Sequence, residues 1–385
     1  MKRNKDSKTI LILSIIFSII CIIGVWILRD GTLEKRSHLD IVVTPKVERD
    51  HDYYSHNTVV KPIEKPQKET GESLPKKIEE NVSKEINTEP SVVISTSEEV
   101  KVKAFFEDIG ATVDDDWTVK IPSYYSLIWV RRRLDKYLGS LNMYLKDDTI
   151  YTKEEKLFTL NMKKVSSPQG KVAIIIDDTG RDTSLNNLLR GIKLPLNISV
   201  LPRQRRTTDM SLMGEIEGWD VLLHLPMEPK EKRWIDGTFI RIGMSEEEIK
   251  NKIDSFLSEL PYVQGVNNHM GSAATQDKQI MRIVLKILKE KDLYFIDSLT
   301  ISNSSGEEVA KEINFPHFLK RDVFLDNNDD KNYISNQIDK LVRIAKDRGV
   351  AIGIGHLREN TLEAIRDYNW KESSIELVVL GELFR

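Results

Sequence analysis

Cysteine is almost absent: Cys21 is the only one in 385 residues, and it lies inside an apolar run. With no pair to join, there is no disulfide framework, no Cys-type zinc site and no thiol nucleophile in the polar part of the chain. An excess of either charge is missing too, with 57 Lys and Arg against 60 Asp and Glu. Nothing global therefore favours a nucleic-acid partner. Metal binding and acid/base work are left to His, Asp and Glu.

Long hydrophobic runs are rare, and the one at the start is informative. TILILSIIFSIICIIGVWIL, residues 9–28, carries no charge over 20 residues, enough for a helix to cross a hydrocarbon core. No small-x-small cleavage site follows a short apolar core, so residues 1–30 read as an uncleaved anchor and not as a signal peptide. Lys2, Arg3, Lys5 and Lys8 crowd its front, while Arg29, Asp30, Glu34, Lys35 and Arg36 mix signs behind it. The positive-inside rule then places the N-terminus in the cytoplasm and the C-terminal part outside it.

Residues 31–100 centre on KPIEKPQKETGESLPKKIEENVSKEINTEPS. Too few apolar side chains are present to offset the entropy of ordering, so this stretch is expected to be a disordered or extended tether that gives a folded head its reach. Residues 101–165 change character, with SLIWVRRRLDKYLGSLN at helical spacing and short strand-like pieces. They read as a small α+β unit in which Phe105, Phe106, Trp117 and Trp129 form a core, with no chemistry assigned.

From about residue 166 to 385 a different rhythm holds. The runs VAIIID, LNISVLP, DVLLHLP, VQGVNNH, LYFIDS, FLKRDVFLD and VAIGIGH are strand candidates, and amphipathic segments such as DKQIMRIVLKILKEK separate several of them. Strands alternating with helices predict an α/β fold with a mostly parallel sheet, and about seven strands favour closure as a distorted (β/α) barrel.

Polar residues fall at the strand ends. Asp177 and Asp178 end the first, His224 follows DVLL, Asn267, Asn268 and His269 follow VQGV, Asp297 follows YFI, Asp326 follows VFL, and His356 follows AIGIG. Parallel α/β architectures gather strand C-termini on one face, so these residues are expected to converge. The bland alternative for Asp177 and Asp178 is a surface turn with a helix cap. His224 reads as a metal ligand ahead of a half-buried strand-end histidine; for His269 a turn role weighs equally before context. His356 follows two glycines that are expected to let backbone approach a ligand, and a metal or an acid/base role suits it. His317 has no such placement.

One carboxylate and two imidazoles suit zinc or a similar divalent metal and leave positions open for water and substrate. Adjacent aspartates fit because successive side chains at a strand end diverge: one ligates while the other stays free as a base.

Taken in order, IIIDDTG, VLLHLPMEP, GVNNHMGS, FIDS, RDVFLDN and AIGIGHLRENTLEAI resemble the divergent polysaccharide deacetylases, a branch of the NodB-type carbohydrate esterases, from about Lys171 to about Leu380. The resemblance implies a distorted (β/α) barrel that removes acetyl groups from amino sugars with a metal-activated water. It implies Asp177 as general base, Asp178 and His224 as metal ligands, and His356 as general acid. Where the family's second ligand histidine stands, this chain has Glu228, so either Glu228 ligates or His269 takes the third place. His269 is the preferred ligand, with Glu228, Asn267, Asn268, Asp297, Arg321 and Asp326 supporting the site or touching substrate.

The expectation is an exported, membrane-anchored, metal-dependent hydrolase acting on an acetylated envelope or extracellular glycan, with zinc as the metal. Two rivals stand beside it: a catalytically silent glycan-binding or envelope-organising protein, and a hydrolase of a different bond at the same metal.

Overall fold

The computed structural model describes residues 97–181, 183–231 and 235–384. The expected anchor at 9–28 and the tether as far as residue 96 lie outside the described residues. Among those described, no helix is long and apolar enough to cross a membrane.

The chain enters through α1 (Ser97–Asp108), β1 (Thr112–Val113), β2 (Thr118–Ile121), α2 (Leu127–Gly139), β3 (Tyr144–Lys146), β4 (Thr149–Tyr151), β5 (Lys156–Thr159) and β6 (Asn161–Lys164). β2 pairs with β1 and β6, and β3 to β5 form an antiparallel meander. Helix α2 starts where Ser126 accepts hydrogen bonds from the backbone N–H of Ile128 at 3.1 Å and Trp129 at 3.2 Å, occupying two of the donors a helix start leaves free. Its apolar side buries Trp129, Val130, Leu134 and Leu138 completely. Its arginines reach across to the next layer, Arg132 donating to Asp220 at 2.7 Å and Arg133 to Glu217 at 2.6 Å. One hydrophobic core runs from these elements into the rest of the chain.

The second part is built on β7 (Lys171–Thr179), β8 (Asn197–Val200), β9 (Asp220–Met227), β10 (Val263–Met270), β11 (Tyr294–Asp297), β12 (Phe318–Lys320), β13 (Val323–Phe324), β14 (Val350–His356) and β15 (Glu376–Leu377). The hydrogen-bonded order is β12-β11-β10-β9-β8-β7-β14-β13, with β15 added against β7, and every pair is parallel. Eight strands on this path correct the expected seven. The run FLKRDVFLD is two short strands, because it bends at Arg321 and Asp322 to serve both edges of the sheet. The N–H of Arg321 donates to Asp297 O at 3.0 Å beside β11, and that of Asp322 to Ile352 O at 2.8 Å on β14. The parallel sheet thus curls into a half-open barrel whose edges are bridged by two residues and not by a continuous ladder.

Helices α3 (Asn186–Gly191), α4 (Thr207–Glu217), α5 (Glu246–Leu257), α6 (Lys278–Glu290), α7 (Gly306–Glu312), α8 (Lys331–Arg348) and α9 (Glu359–Asp367) alternate with the strands. In α6 the apolar residues recur at helical spacing and seven of them, from Ile280 to Leu288, are buried; each contributes about 1.5–3 kcal/mol by leaving water. The glycines before His356 serve this packing. A Cβ on Gly353 would lie 2.7 Å from Leu341 of α8, and one on Gly355 2.7 Å from Thr361 of α9. They admit helices, which corrects the expectation that they admit a ligand.

Inside the sheet a separate apolar cluster holds Ala173, Ile175, Leu222, Tyr294, Ile296, Ile352, Ile354, Val378 and Leu380. The turn Leu380–Phe384 closes the end where the strands begin: Asn197 accepts from Leu380 N–H, and Asp220 from Gly381 N–H, each at 2.7 Å.

Candidate metal centre at the strand C-termini

Ladder register assembles the site. His224 on β9 lies beside Asn267 on β10, and Asp177 on β7 beside His356 on β14. Between Ile176 and Thr179 the pairing of β7 with β8 slips, so that three steps on β7 face two on β8. Asp178 sits in this bulge at φ 60, and Gly180 follows at φ +100. The left-handed conformation is one that Asp tolerates better than most residues, at a cost of about 1–3 kcal/mol, and such strain gathers at functional sites.

The bulge re-aims the second carboxylate. In a regular strand neighbouring side chains face opposite ways; here Asp178 Oδ1 lies 3.3 Å and Asp177 Oδ2 3.7 Å from the same atom, His224 Nε2. The two aspartates converge, where divergence was expected. His269 completes the group, its Nδ1 3.1 Å from both Asp178 Oδ1 and His224 Nε2.

Asp178, His224 and His269 are the one group of three among the described residues placed to share an ion. Their donor atoms stand 3.1, 3.1 and 3.3 Å apart, and a tetrahedral ion about 2.0–2.1 Å from each donor sets neighbouring donors about 3.3 Å apart. Asp178 Oδ1 is buried and faces only the two imidazole nitrogens, as suits an atom shared with a cation. The residues therefore fit a divalent metal with nitrogen and oxygen donors.

The surroundings set the charges. Burial pushes the Asp178 carboxyl up, but the imidazoles of His224 and His269 outweigh it and hold the group far below the usual carboxylate range. Burial dominates at Asp177 and leaves it above its ordinary value, although His224, His356 and the Asn267 amide pull the other way. Burial likewise leaves His269 below its ordinary value despite Asp178. At His224 the two aspartates overcome burial and the ring sits higher than usual.

His356 stands at the rim. Its Nδ1 lies 2.9 Å from Asp326 Oδ1, and the other Asp326 oxygen accepts from its backbone N–H at 2.7 Å and from Thr361 Oγ1 at 2.8 Å. Burial lowers the ring's affinity for a proton, but Asp326 more than reverses this. The remaining ring nitrogen, Nε2, makes no hydrogen bond among the described residues.

The other sequence candidates divide. Asn267 is fully buried and donates to Asp177 Oδ1 at 2.9 Å. Arg321 is held by the carbonyls of Ser298 at 2.7 Å and Leu299 at 3.0 Å and lies 3.6 Å over the Phe324 ring. Glu228 stands outside the ligand group and accepts from Ile242 N–H at 2.8 Å. Asn268 and Asp297 brace loops: Asn268 accepts from Ser298 N–H, and Asp297 from Leu299 N–H, both at 2.9 Å. His317 is remote, at the foot of β12.

Ser199 and Ser298, both buried against Asn267, gave no signal in the sequence beyond their strand-end positions. Thr361 was hidden in a helix, and Phe239, whose ring centroid lies 6.3 Å from that of His269, in a loop. Phe239 lines a cleft of about 380 Å³ that opens beside His269 and also includes Arg181, Gln204, Asp236 and Thr238. A larger cavity of about 560 Å³, between α7 and β12, contains none of the site's residues.

Residues 174–384 match the family model of the divergent polysaccharide deacetylases. An uncharacterized protein of Haemophilus influenzae is 32% identical over 222 residues, 57% of this chain and 79% of its own. The uncharacterized protein YibQ of Escherichia coli K12 is 34% identical over 204 residues, 52% of this chain and 64% of its own. Among solved structures, an uncharacterized protein from Agrobacterium tumefaciens C58 superposes with a TM-score of 0.52 at 20% identity, over 57% of this chain and 90% of its own, a likeness of fold. With the matched span running from the strand that carries Asp177 and Asp178 to the turn that closes the barrel, this chain belongs to the divergent polysaccharide deacetylase family.

Proposed function

We propose that the protein is a metal-dependent hydrolase that removes acetyl groups from an amino-sugar glycan of the cell envelope. In this reading it is anchored through residues 9–28, with its C-terminal domain on the extracytoplasmic side. One observation carries the chemistry: three metal-spaced donor atoms with a fourth, separate carboxylate oxygen, Asp177 Oδ2, 3.7 Å from one of them, His224 Nε2. Asp178, His224 and His269 hold the ion, and their two nitrogens and one oxygen favour zinc. When bound, such an ion supplies Lewis acidity that polarises a carbonyl and acidifies water.

The chain's own groups do the proton work. Asp177 is buried and more basic than an ordinary carboxylate, so it takes the proton of the water whose oxygen adds to the acetyl carbon. His356, which holds its proton more firmly through its pairing with Asp326, gives a proton to the nitrogen as the C–N bond breaks. Acetate and a free amine leave. The cleft beside His269 is walled by Phe239 and offers Arg181, Gln204 and Asp236 for hydroxyls, a mixture that suits a sugar.

The test is metal content and acetate release from N-acetylated oligosaccharides and polymers, measured on the full-length chain and on Asp177→Asn. About one equivalent of zinc in both, with turnover only in the parent, is the expected result. Metal and glycan binding without acetate release would turn the reading to a glycan-binding protein, and a panel of peptides and phosphoesters would expose hydrolysis of another bond.

A further inference from the structure

Asn267 occupies a place that the proposed reaction leaves without a role. It is completely buried in the barrel mouth, and all of its amide is engaged. Nδ2 donates to Asp177 Oδ1 at 2.9 Å and to Ser298 Oγ at 3.3 Å. Oδ1 accepts from Ser199 Oγ and lies 2.9 Å from His224 Nδ1. His224 turns Nε2 to Asp178 and His269, so Nδ1 is the ring nitrogen left to donate, the amide oxygen is the end that faces it, and the amide nitrogen faces Asp177. Since an amide oxygen cannot donate, this contact keeps a hydrogen on His224 Nδ1.

Two consequences follow from this one orientation. In the neutral ring the lone pair of His224 lies on Nε2, the atom 3.3 Å from Asp178 Oδ1 and 3.1 Å from His269 Nδ1. The Asp177 carboxylate is pinned by Oδ1, which leaves Oδ2 turned toward the same centre, 3.7 Å from His224 Nε2. Ser199 and Ser298 fill the remaining valences of the amide.

We infer that Asn267 is a positioning residue that fixes His224 in its metal-binding tautomer with one end of its amide and aims the free oxygen of Asp177 with the other. This rests on the metal-hydrolase reading for the use of Asp177, but not for the tautomer. A ligand histidine held through its second nitrogen binds metal more tightly, and losing that support typically costs 10–100-fold in metal affinity.

Two substitutions separate the ends. Asn267→Asp keeps an acceptor for His224 Nδ1 but loses the donor to Asp177 and sets a like charge against it. Asn267→Leu loses both. Zinc affinity by chelator competition, the His224 tautomer by nitrogen NMR, and acetate release are measured on the full-length chain, with His224→Ala as the metal-free control. The parent without zinc should show His224 protonated on Nδ1. Asn267→Leu should bind zinc about 10–100-fold more weakly, whereas Asn267→Asp should bind it at or above the parental affinity and still lose about 100-fold or more in acetate release.

Parental zinc affinity in Asn267→Leu, or a His224 whose Nδ1 carries no hydrogen in the parent, overturns the tautomer assignment. Full turnover in Asn267→Asp overturns the aiming of Asp177. Equal loss of zinc in both variants, with equal loss of thermal stability, reduces Asn267 to a packing residue and overturns both. If Asn267→Leu does not fold, the tautomer of the parent and the opposed zinc and turnover responses of Asn267→Asp still decide. A parent that releases acetate from no glycan defeats the proposed function, while zinc affinity and tautomer continue to report on Asn267.

Discussion

The two ends of the barrel bury similar groups and treat them differently. Where the strands begin, Asp220 is buried but fully answered, by Arg132 at 2.7 Å, the Gly381 N–H at 2.7 Å and the Tyr294 hydroxyl at 3.1 Å. Where they end, Asp178 is held in a bulge at positive φ, and its buried Oδ1 faces only the nitrogens of His224 and His269. A carboxylate neutralised by three donors holds a fold together; one left facing two imidazoles is ready for a ligand. The same sheet keeps stability at one end and reactivity at the other.

The comparison can be broken from either side. At the reactive end the largest effect should come from His224→Ala or Asp178→Ala, each of which removes a ligand of the proposed ion: elemental analysis should find the zinc gone. Retention of stoichiometric metal by both would dissolve the proposed centre. Next, Asp177→Asn should slow acetate release by about 10²–10⁴-fold, the range for a lost general base, with metal content preserved.

At the closed end the expected effect is on folding alone. Asp220→Ala leaves Arg132 without its carboxylate and Tyr294 without its acceptor, and should cost about 3–5 kcal/mol in denaturant unfolding with zinc binding unchanged. Tyr294→Phe, which removes one hydroxyl from the same group, should cost about 1 kcal/mol. A zinc defect in either would show that the two ends are not independent.

The pH dependence sharpens the division further. Asp326 holds His356 above its ordinary value, so the ring keeps its proton to higher pH than an ordinary histidine, and its contribution to stability is complete below the ordinary histidine value and lost as pH rises through the raised one. Acetate release should fall along the same alkaline limb. In Asp326→Asn that limb should move to lower pH, and a limb that stays in place would remove His356 as the acid.

Particular residues show how far the sequence could be read. The order of strands and helices was legible because VAIIID, DVLLHLP and the spaced apolar residues of DKQIMRIVLKILKEK carry their periods locally. The strand count was less so: FLKRDVFLD reads as one strand, and only pairing with two different edges divides it at Arg321 and Asp322. Asp177, Asp178, His224, His269 and His356 could be named because each follows an apolar run. The roles of Gly353 and Gly355 could not, since they answer to Leu341 and Thr361 on helices that follow.

By itself the sequence determined the parallel α/β class, the strand-end face on which polar residues gather, and the absence of cysteine chemistry, because hydrophobic period and composition are properties of short stretches. Only the tertiary structure decided which of those polar residues meet. The bulge in β7 turns Asp178 toward His224, the register of β9 with β10 sets Asn267 against His224, and the ladder of β7 with β14 brings His356 beside Asp177. These are distances between residues dozens of positions apart, fixed by strand pairing to within an ångström, and no local pattern encodes them.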